Sequence, residues 1–402
     1  MKLVPIPKEK YDQYKIDAIF DCYKWDPQFL DNNTLSKYVL VLTEKEAKEV
    51  AKLTEQLDLE TRQAEEYIIK NLKISKKLLL PSKIIKEIRK MSNYNPKNNI
   101  RLTRYDFHPT ANNKWVVSEV NSDVPGGFAE ASLLPKLAIQ VLNIKDCYSI
   151  DFGANLASII SSKIPPKGNI MFVHCTSYSD DRQVMQYIGD KMEENGFNSI
   201  YGAVDHVEFK DKKAFCILNG YNCNVDLIFR FTPLEWLIKV KPKTWDGYFD
   251  TLTPSCNHPI SMFAQTKRFP LIWDDLENQG ISLTVWKKLL PKTTEVKNAN
   301  GNYIYKPACG RVGEKISIKE ACSDKEYKEI LKDVSMHPKK YIAQEKFISK
   351  PIKGLSDKLY HICLGSYAID GKHAGFYARI SDKPRIDSSA EDIPVIIKRD
   401  KI

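Results

Sequence analysis

The chain contains no Cys-x-x-Cys pair, no apolar run of about 18 residues, no Gly-x-Gly-x-x-Gly at a strand end, and no basic stretch interleaved with aromatics. Each absence removes a class. Its nine cysteines are odd in number, scattered, and without histidines at zinc spacing, which argues against a disulfide framework or zinc ribbon and fits a reducing cytosol. No segment offers a membrane span, and residues 1–10, basic with prolines at 5 and 7, lack the apolar centre of a signal peptide. The expectation is a cytoplasmic protein that engages no membrane. Without the glycine fingerprint a dinucleotide reading has no support. The net charge of +10 favours anionic partners, yet lysines accompany acids, as in Glu44-Lys45-Glu46 and Lys210-Asp211-Lys212, so no nucleic-acid footprint forms.

Apolar residues make up 43% of 402, enough for a substantial core in roughly two or three units. Ala47, Val50, Leu53 and Leu57, resumed by Ala64, Ile68 and Leu72, predict a helix over 43–73. Thr43 and Glu46 form a capping box at its start. Ser82 is expected to cap a second helix through Met91, so residues 1–100 read as a helical region that serves packing. Beyond about 146, strand-like and helix-like segments alternate. Strands are predicted at 170–173, 199–204 and 227–231, with a helix from Asp180-Asp181 to Glu194 closed by Gly196 and a turn or helix at 235–237. That rhythm predicts a small parallel sheet with covering helices.

Two segments carry chemistry. Arg104-Tyr105-Asp106 and Glu119-Val120-Asn121-Ser122-Asp123 read as the ends of paired strands. Trp115, Val117 and Glu119 alternate with Val116, Ser118 and Val120, and Glu119 shares a face with Asn121. Asp106, Glu119 and Asn121 would converge as hard oxygen donors, a set that suits Mg²⁺. A hairpin with polar ends is the plainer alternative. In the second segment a strand at 304–307, the loop Ala308-Cys309-Gly310-Arg311-Val312-Gly313 and a returning strand at 316–318 are predicted. Glycines there let backbone N–H groups approach phosphate oxygens, and Lys306 and Arg311 add cations, although an ordinary β-turn has the same signature. Strand patterns follow at 341–348 and at 376–380, the latter carrying Arg379. Carboxylates at Asp180 and Asp181 also suit a helix start, Cys309 reads as a small buried thiol, Trp236 and Trp273 as core anchors, and His108 and His361 as structural or surface groups.

Five ordered pieces, namely Arg104-Tyr105-Asp106, Glu119 to Gly127, Thr232-Pro233-Leu234-Glu235-Trp236, Lys306 to Gly313, and Arg379 with its strand, resemble the synthetase part of the glutathionylspermidine synthase family. The resemblance implies an α/β (α+β) fold, a permuted ATP-grasp. Its ATP-grasp part would comprise 101–145 and 255–402, with a Rossmann-like pre-ATP-grasp substrate unit at 146–254, the helical region at 1–100, and no amidase domain. It implies an ATP-dependent carboxylate–amine ligase using ATP and Mg²⁺, with small-molecule acid and amine substrates, and it is compatible with a homodimer. Asp106, Glu119 and Asn121 would hold the metal. Lys267, Lys306, Gly310, Gly313, Gln344 and Glu345 would bind ATP, and Arg104, Arg311 and Arg379 would serve the transfer. Asp123, Asp180, Asp181 and Glu235 would meet substrates. Where related synthetases carry Ser or Thr beside the metal motif, Val124 and Gly126 stand here, which points to a substrate pair other than glutathione and spermidine. Two competing readings are an ATP-binding regulatory protein of the same fold and a basic nucleic-acid binder, the latter marked by steeply salt-dependent binding.

Overall fold

Asp370 and Gly371 both have positive φ, 48° and 90°, the backbone of a two-residue hairpin turn that Asp-Gly adopts readily. The turn joins strands Leu359–Ile369 and Lys372–Ser381, which pair antiparallel. They form the middle of a sheet whose main path runs Glu391–Asp392, Lys372–Ser381, Leu359–Ile369, Leu102–Pro109, Trp115–Asn121. The computed structural model describes residues 1–400 apart from Asn93, Asn113, Arg311 and Val312.

One face of this sheet is covered by the helix Glu44–Lys70, whose start carries the predicted capping box. Its stripe Ala47, Val50, Leu57, Ala64 and Ile68 is buried and shares a core with Tyr105, Phe107, Val117 and Val120. Polar groups fix the register between the layers. Asp58, fully buried on the helix, accepts from Arg101 Nε (3.2 Å), Thr103 Oγ1 (2.9 Å) and Tyr105 Oη (3.1 Å), and Thr54 donates to Ser366 Oγ at 2.7 Å. Because side chains alternate along a strand, Arg104 and Asp106 face away from the helix, and that opposite face carries the candidate site.

The alternating middle of the chain builds the predicted parallel sheet, ordered Ser255–Cys256, Leu227–Arg230, Asn169–Val173, Asn198–Gly202. Helices Phe152–Lys163 and Ser179–Glu194 pack on it through Leu156, Ile160, Met185 and Ile188. A third, antiparallel sheet joins Thr293–Thr294, Tyr341–Glu345 and Tyr303–Pro307.

Several local expectations are corrected. The first hundred residues are not only helical: Lys2–Pro5 and the buried strand Tyr38–Thr43 form a sheet with Val395–Lys398 from the end of the chain. Ser82 is the first residue inside the helix Ser82–Lys90, behind Pro81, and caps nothing with its side chain. Residues 316–318 form no strand; one backbone bond, Ser317 N–H to Tyr305 O at 3.1 Å, and the Ser317 hydroxyl hold them beside Tyr303–Pro307. Cys309 is exposed rather than buried, and Trp236 is 40% exposed while Trp273 lies in the core. Among the described residues no helix is long and apolar enough to cross a membrane.

Candidate functional site

A β-bulge decides where the site's acids point. Asp106 pairs with Glu119, but Phe107 pairs with Val117, so Ser118 is an extra residue on its strand. Strict alternation would have put Glu119 on the same side as Trp115 and Val117, inside the core. The bulge instead leaves Val117 and Val120 in the core and turns Glu119 and Asn121 to the open face, a common use of bulges beside functional sites. Across that face one row reads Glu119, Asp106, Gly365, Tyr377, and the neighbouring row reads Asn121, Arg104, Tyr367. Cys363, Arg379 and Asp392 form a third row on the same side.

Charge is closely matched on this surface. Arg104 holds Asp106 by two bonds, Nε to Oδ1 at 2.8 Å and Nη2 to Oδ2 at 3.1 Å, and the Asn121 amide donates to Asp106 Oδ2 at 3.0 Å. Gly365 makes room for that guanidinium, since a Cβ there would sit 2.7 Å from Arg104 Cδ. Arg104 also lies over the Tyr377 ring at 5.1 Å and donates to Gly126 O, which accepts the Tyr367 hydroxyl as well. Arg379 donates to Ala390 O at 2.8 Å with its Nε 3.8 Å from Asp392, so two of the three predicted arginines, Arg104 and Arg379, line one face.

From the other half of the molecule two lysines reach the same point. Lys267 Nζ is 2.8 Å from Glu119 Oε2 and donates to Gly310 O at 2.6 Å. Lys306, 4% exposed, points from Tyr303–Pro307 toward Ser118 O at 3.4 Å. Burial works against the ionised form of Glu119, but Lys267, Lys306 and Arg104 overcome it and hold its carboxyl down to about 2. Burial, helped by Lys267 and opposed by Glu119, pushes the Lys306 ammonium down to about 8. Burial and then Lys306 lower His108 to about 4, so this imidazole is neutral, 3.0 Å from Ser118 Oγ. A narrow crevice runs between these groups, with Glu119, Lys267, Lys306 and Gln344 on its polar side and Phe269, Trp273 and Leu290 behind.

Other predicted residues sit as follows. Gln344 shares a strand face with Lys306 and enters the crevice, whereas Glu345 ends the strand exposed. Gly310 presents its carbonyl to Lys267 and its N–H bonds Pro307 O. Gly313, at φ +66°, passes under Ile386, whose carbonyl would lie 2.3 Å from an added Cβ. Arg311 lies outside the described residues. Asp123 is wholly buried: its carboxylate binds Arg230 Nη2 at 2.5 Å and the Leu234 N–H at 2.9 Å, which ties the loop after Asn121 to the parallel sheet. Buried in that pair, it presents no exposed surface to a substrate. Asp180 and Asp181, at the start of helix Ser179–Glu194, and Glu235, in Leu234–Leu237, follow the carboxyl ends of two adjacent parallel strands, where open α/β sheets commonly bind ligands. Tyr178 and Trp236, with ring centroids 6.1 Å apart, join their two segments.

Residues 16–398 match the family described as glutathionylspermidine synthase pre-ATP-grasp. The chain belongs to that family. Its fold is the mixed α/β architecture of an ATP-grasp-type synthetase, and the family is one of ligases. Among solved structures this family member resembles a glutathione synthetase-like effector, GSS30, from Globodera pallida, with a TM-score of 0.64 and 13% identity over 95% of this chain and 97% of that one. It also aligns with a putative gamma-glutamylcysteine synthetase from Methylobacillus flagellatus, at a TM-score of 0.45 and 13% identity over 85% and 88% of the two chains. No curated protein matches its sequence.

Gln265, Tyr367 and Tyr377 were not singled out from the sequence. Gln265 Oε1 accepts the backbone N–H groups of both Ser122 and Asp123, so it shapes the acidic loop. The tyrosines were findable: Asp370-Gly371 between apolar alternations is a hairpin signature that places Tyr367 and Tyr377 on its two arms.

Proposed function

We propose that this protein is an ATP-dependent carboxylate–amine ligase that forms an amide through an acyl phosphate. The observation that carries the reading is the convergence of Lys267 and Lys306, from the later half of the chain, on Glu119 from the earlier half. In the reaction the terminal phosphoryl group of ATP passes to an oxygen of the acid, leaving ADP. The amine nitrogen then attacks the acyl carbon, the C–O bond to phosphate breaks, and the amine gives up a proton. Such transfers depend on cations already in place around the migrating phosphoryl group. Lys267 and Lys306 supply them in the crevice, and Gln344 offers a polar edge to the base. Arg104 and Arg379 suit the acid substrate, because a planar guanidinium holds a carboxylate at two points. Asp180, Asp181 and Glu235 suit an amine.

Asp106, Glu119 and Asn121 fit Mg²⁺ as hard oxygen donors on one sheet face, with Glu119 ionised throughout the neutral range. Among the described residues no group of three His, Cys, Asp or Glu could hold a metal, so two carboxylates, one amide and the nucleotide's own oxygens would make up the set. When bound, the ion would neutralise phosphate charge. Arg104 and Lys267, which now pair with those carboxylates, would then be available to substrate and nucleotide.

Incubation with Mg-ATP and a panel of amino acids, short peptides and polyamines tests the proposal. At least one acid–amine pair should stimulate ADP release, with a product one water lighter than its parents. Absence of both turnover and ATP binding would remove it, and tight ATP binding without turnover would favour the regulatory reading. A pH series gives a second test. Lys306 carries its charge below about 8 and loses it above, so ATP affinity should decline between pH 7 and 9. Lys306→Arg, cationic throughout, should flatten that profile in equilibrium binding; an unchanged slope would exclude Lys306 as the titrating group.

A further inference from the structure

At the hairpin-turn end of the main sheet lies a cavity of about 370 Å³, within the range of small-ligand pockets. Arg62, Glu65 and Glu66 of the long helix line it, with Arg101 from the start of Leu102–Pro109's strand segment, Lys163 from the end of helix Phe152–Lys163, and Asp370 from the hairpin turn. Basic and acidic groups therefore alternate around one hollow. Arg101 is anchored at its base: Nη1 bonds Glu65 Oε2 at 2.6 Å and Nε bonds Asp58 Oδ1 at 3.2 Å. Buried polar atoms of the lining residues without a hydrogen-bond partner include Arg101 Nη2 and Glu65 Oε1. Glu65 is only 2% exposed, and burial, against the pull of Arg101, pushes its carboxyl up to about 7, so a cation beside its second oxygen would favour the ionised form. The catalytic reading uses none of these groups.

An unsatisfied cationic donor beside an unsatisfied carboxyl oxygen is the complement of a molecule that carries a carboxylate and an ammonium a short distance apart. A simple anion would meet Glu65, Glu66 and Asp370 with repulsion, and a simple cation would meet Arg62, Arg101 and Lys163. We infer that this cavity binds a small zwitterion, a free α-amino acid or a dipeptide, with its carboxylate toward Arg101 and Lys163 and its ammonium toward Glu65. Tyr94, set against His258 with ring centroids 4.5 Å apart, closes one wall and offers an aromatic surface to the occupant's side chain.

Calorimetric titration of the full chain without nucleotide tests this independently of any ligase activity. The probes are glycine, glutamate and glycylglycine, with acetate and methylamine as the two halves of the zwitterion. At least one zwitterion should bind saturably, and acetate and methylamine should bind at least about tenfold more weakly. Arg101 and Glu65 lie too deep for a clean variant, so Lys163→Ala and Glu66→Gln, nearer the surface, are the substitutions to use; each should weaken binding by about tenfold, the scale of one charged hydrogen bond. The inference is overturned if no zwitterion binds up to about 10 mM, if acetate binds as tightly as the amino acid, or if both variants bind like the unaltered protein, which would place the ligand elsewhere.

Discussion

Glu119→Gln should reduce ADP formation by about 10²–10³ or more while leaving the fold intact. The carboxylate is the meeting point of Lys267, Lys306 and Arg104, which hold it ionised down to about 2 against burial. An amide of the same shape can still accept from Lys267, so packing is preserved, and at 23% exposure the side chain is not part of the core. What is lost is charge. One of two anionic oxygen donors goes, and the two lysine ammonium groups, no longer balanced, repel each other and reorganise the crevice. A coupled ADP assay beside a thermal melt reads both effects. Turnover equal to the unaltered protein would dismiss Glu119 as metal donor and, with it, the assignment of this crevice to the triphosphate.

Asp123→Asn should have the largest effect on stability, a loss of about 3–5 kcal/mol, because it strips one partner from a fully buried ion pair and leaves the other charged. Arg230 is 1% exposed and its partner not at all, and the same carboxylate accepts the Leu234 N–H. The pair fastens the acidic loop, on the main sheet, to the end of the strand Leu227–Arg230 in the parallel sheet. Urea unfolding of the variant measures the change. A substrate role would give the opposite pattern: unaltered stability with a raised KM for one substrate.

Much of the local structure is legible in the residues. The Thr43–Glu46 capping box, the helical stripe to Ile68, and the alternation around Ile170, Gly196 and Leu227 rest on interactions within a few positions, so short windows contain the cause. The strand Tyr38–Thr43 was less visible because it is buried between a neighbouring strand and one from residue 395 onward, and a continuous apolar run has no period to read. Residues 316–318 show the reverse error. Their apolar-polar-apolar pattern suits a strand, but only Ser317 reaches Tyr305.

At the site the division is the same. The residue types and their order, Asp106, Glu119 and Asn121 early with Lys267 and Lys306 late, were determined by the chain alone, because the chemistry of hard oxygen donors and ammonium groups belongs to the side chains themselves. Their convergence was decided by tertiary structure. An unpaired Ser118, visible only once Asp106 and Phe107 are matched to their partners, rotates Glu119 out of the core toward Lys267. The burial of Asp123 against Arg230, and the hollow around Arg101 and Glu65, likewise depend on groups 36 to 107 positions apart. Contacts over such separations arise from how layers stack, which no local pattern encodes.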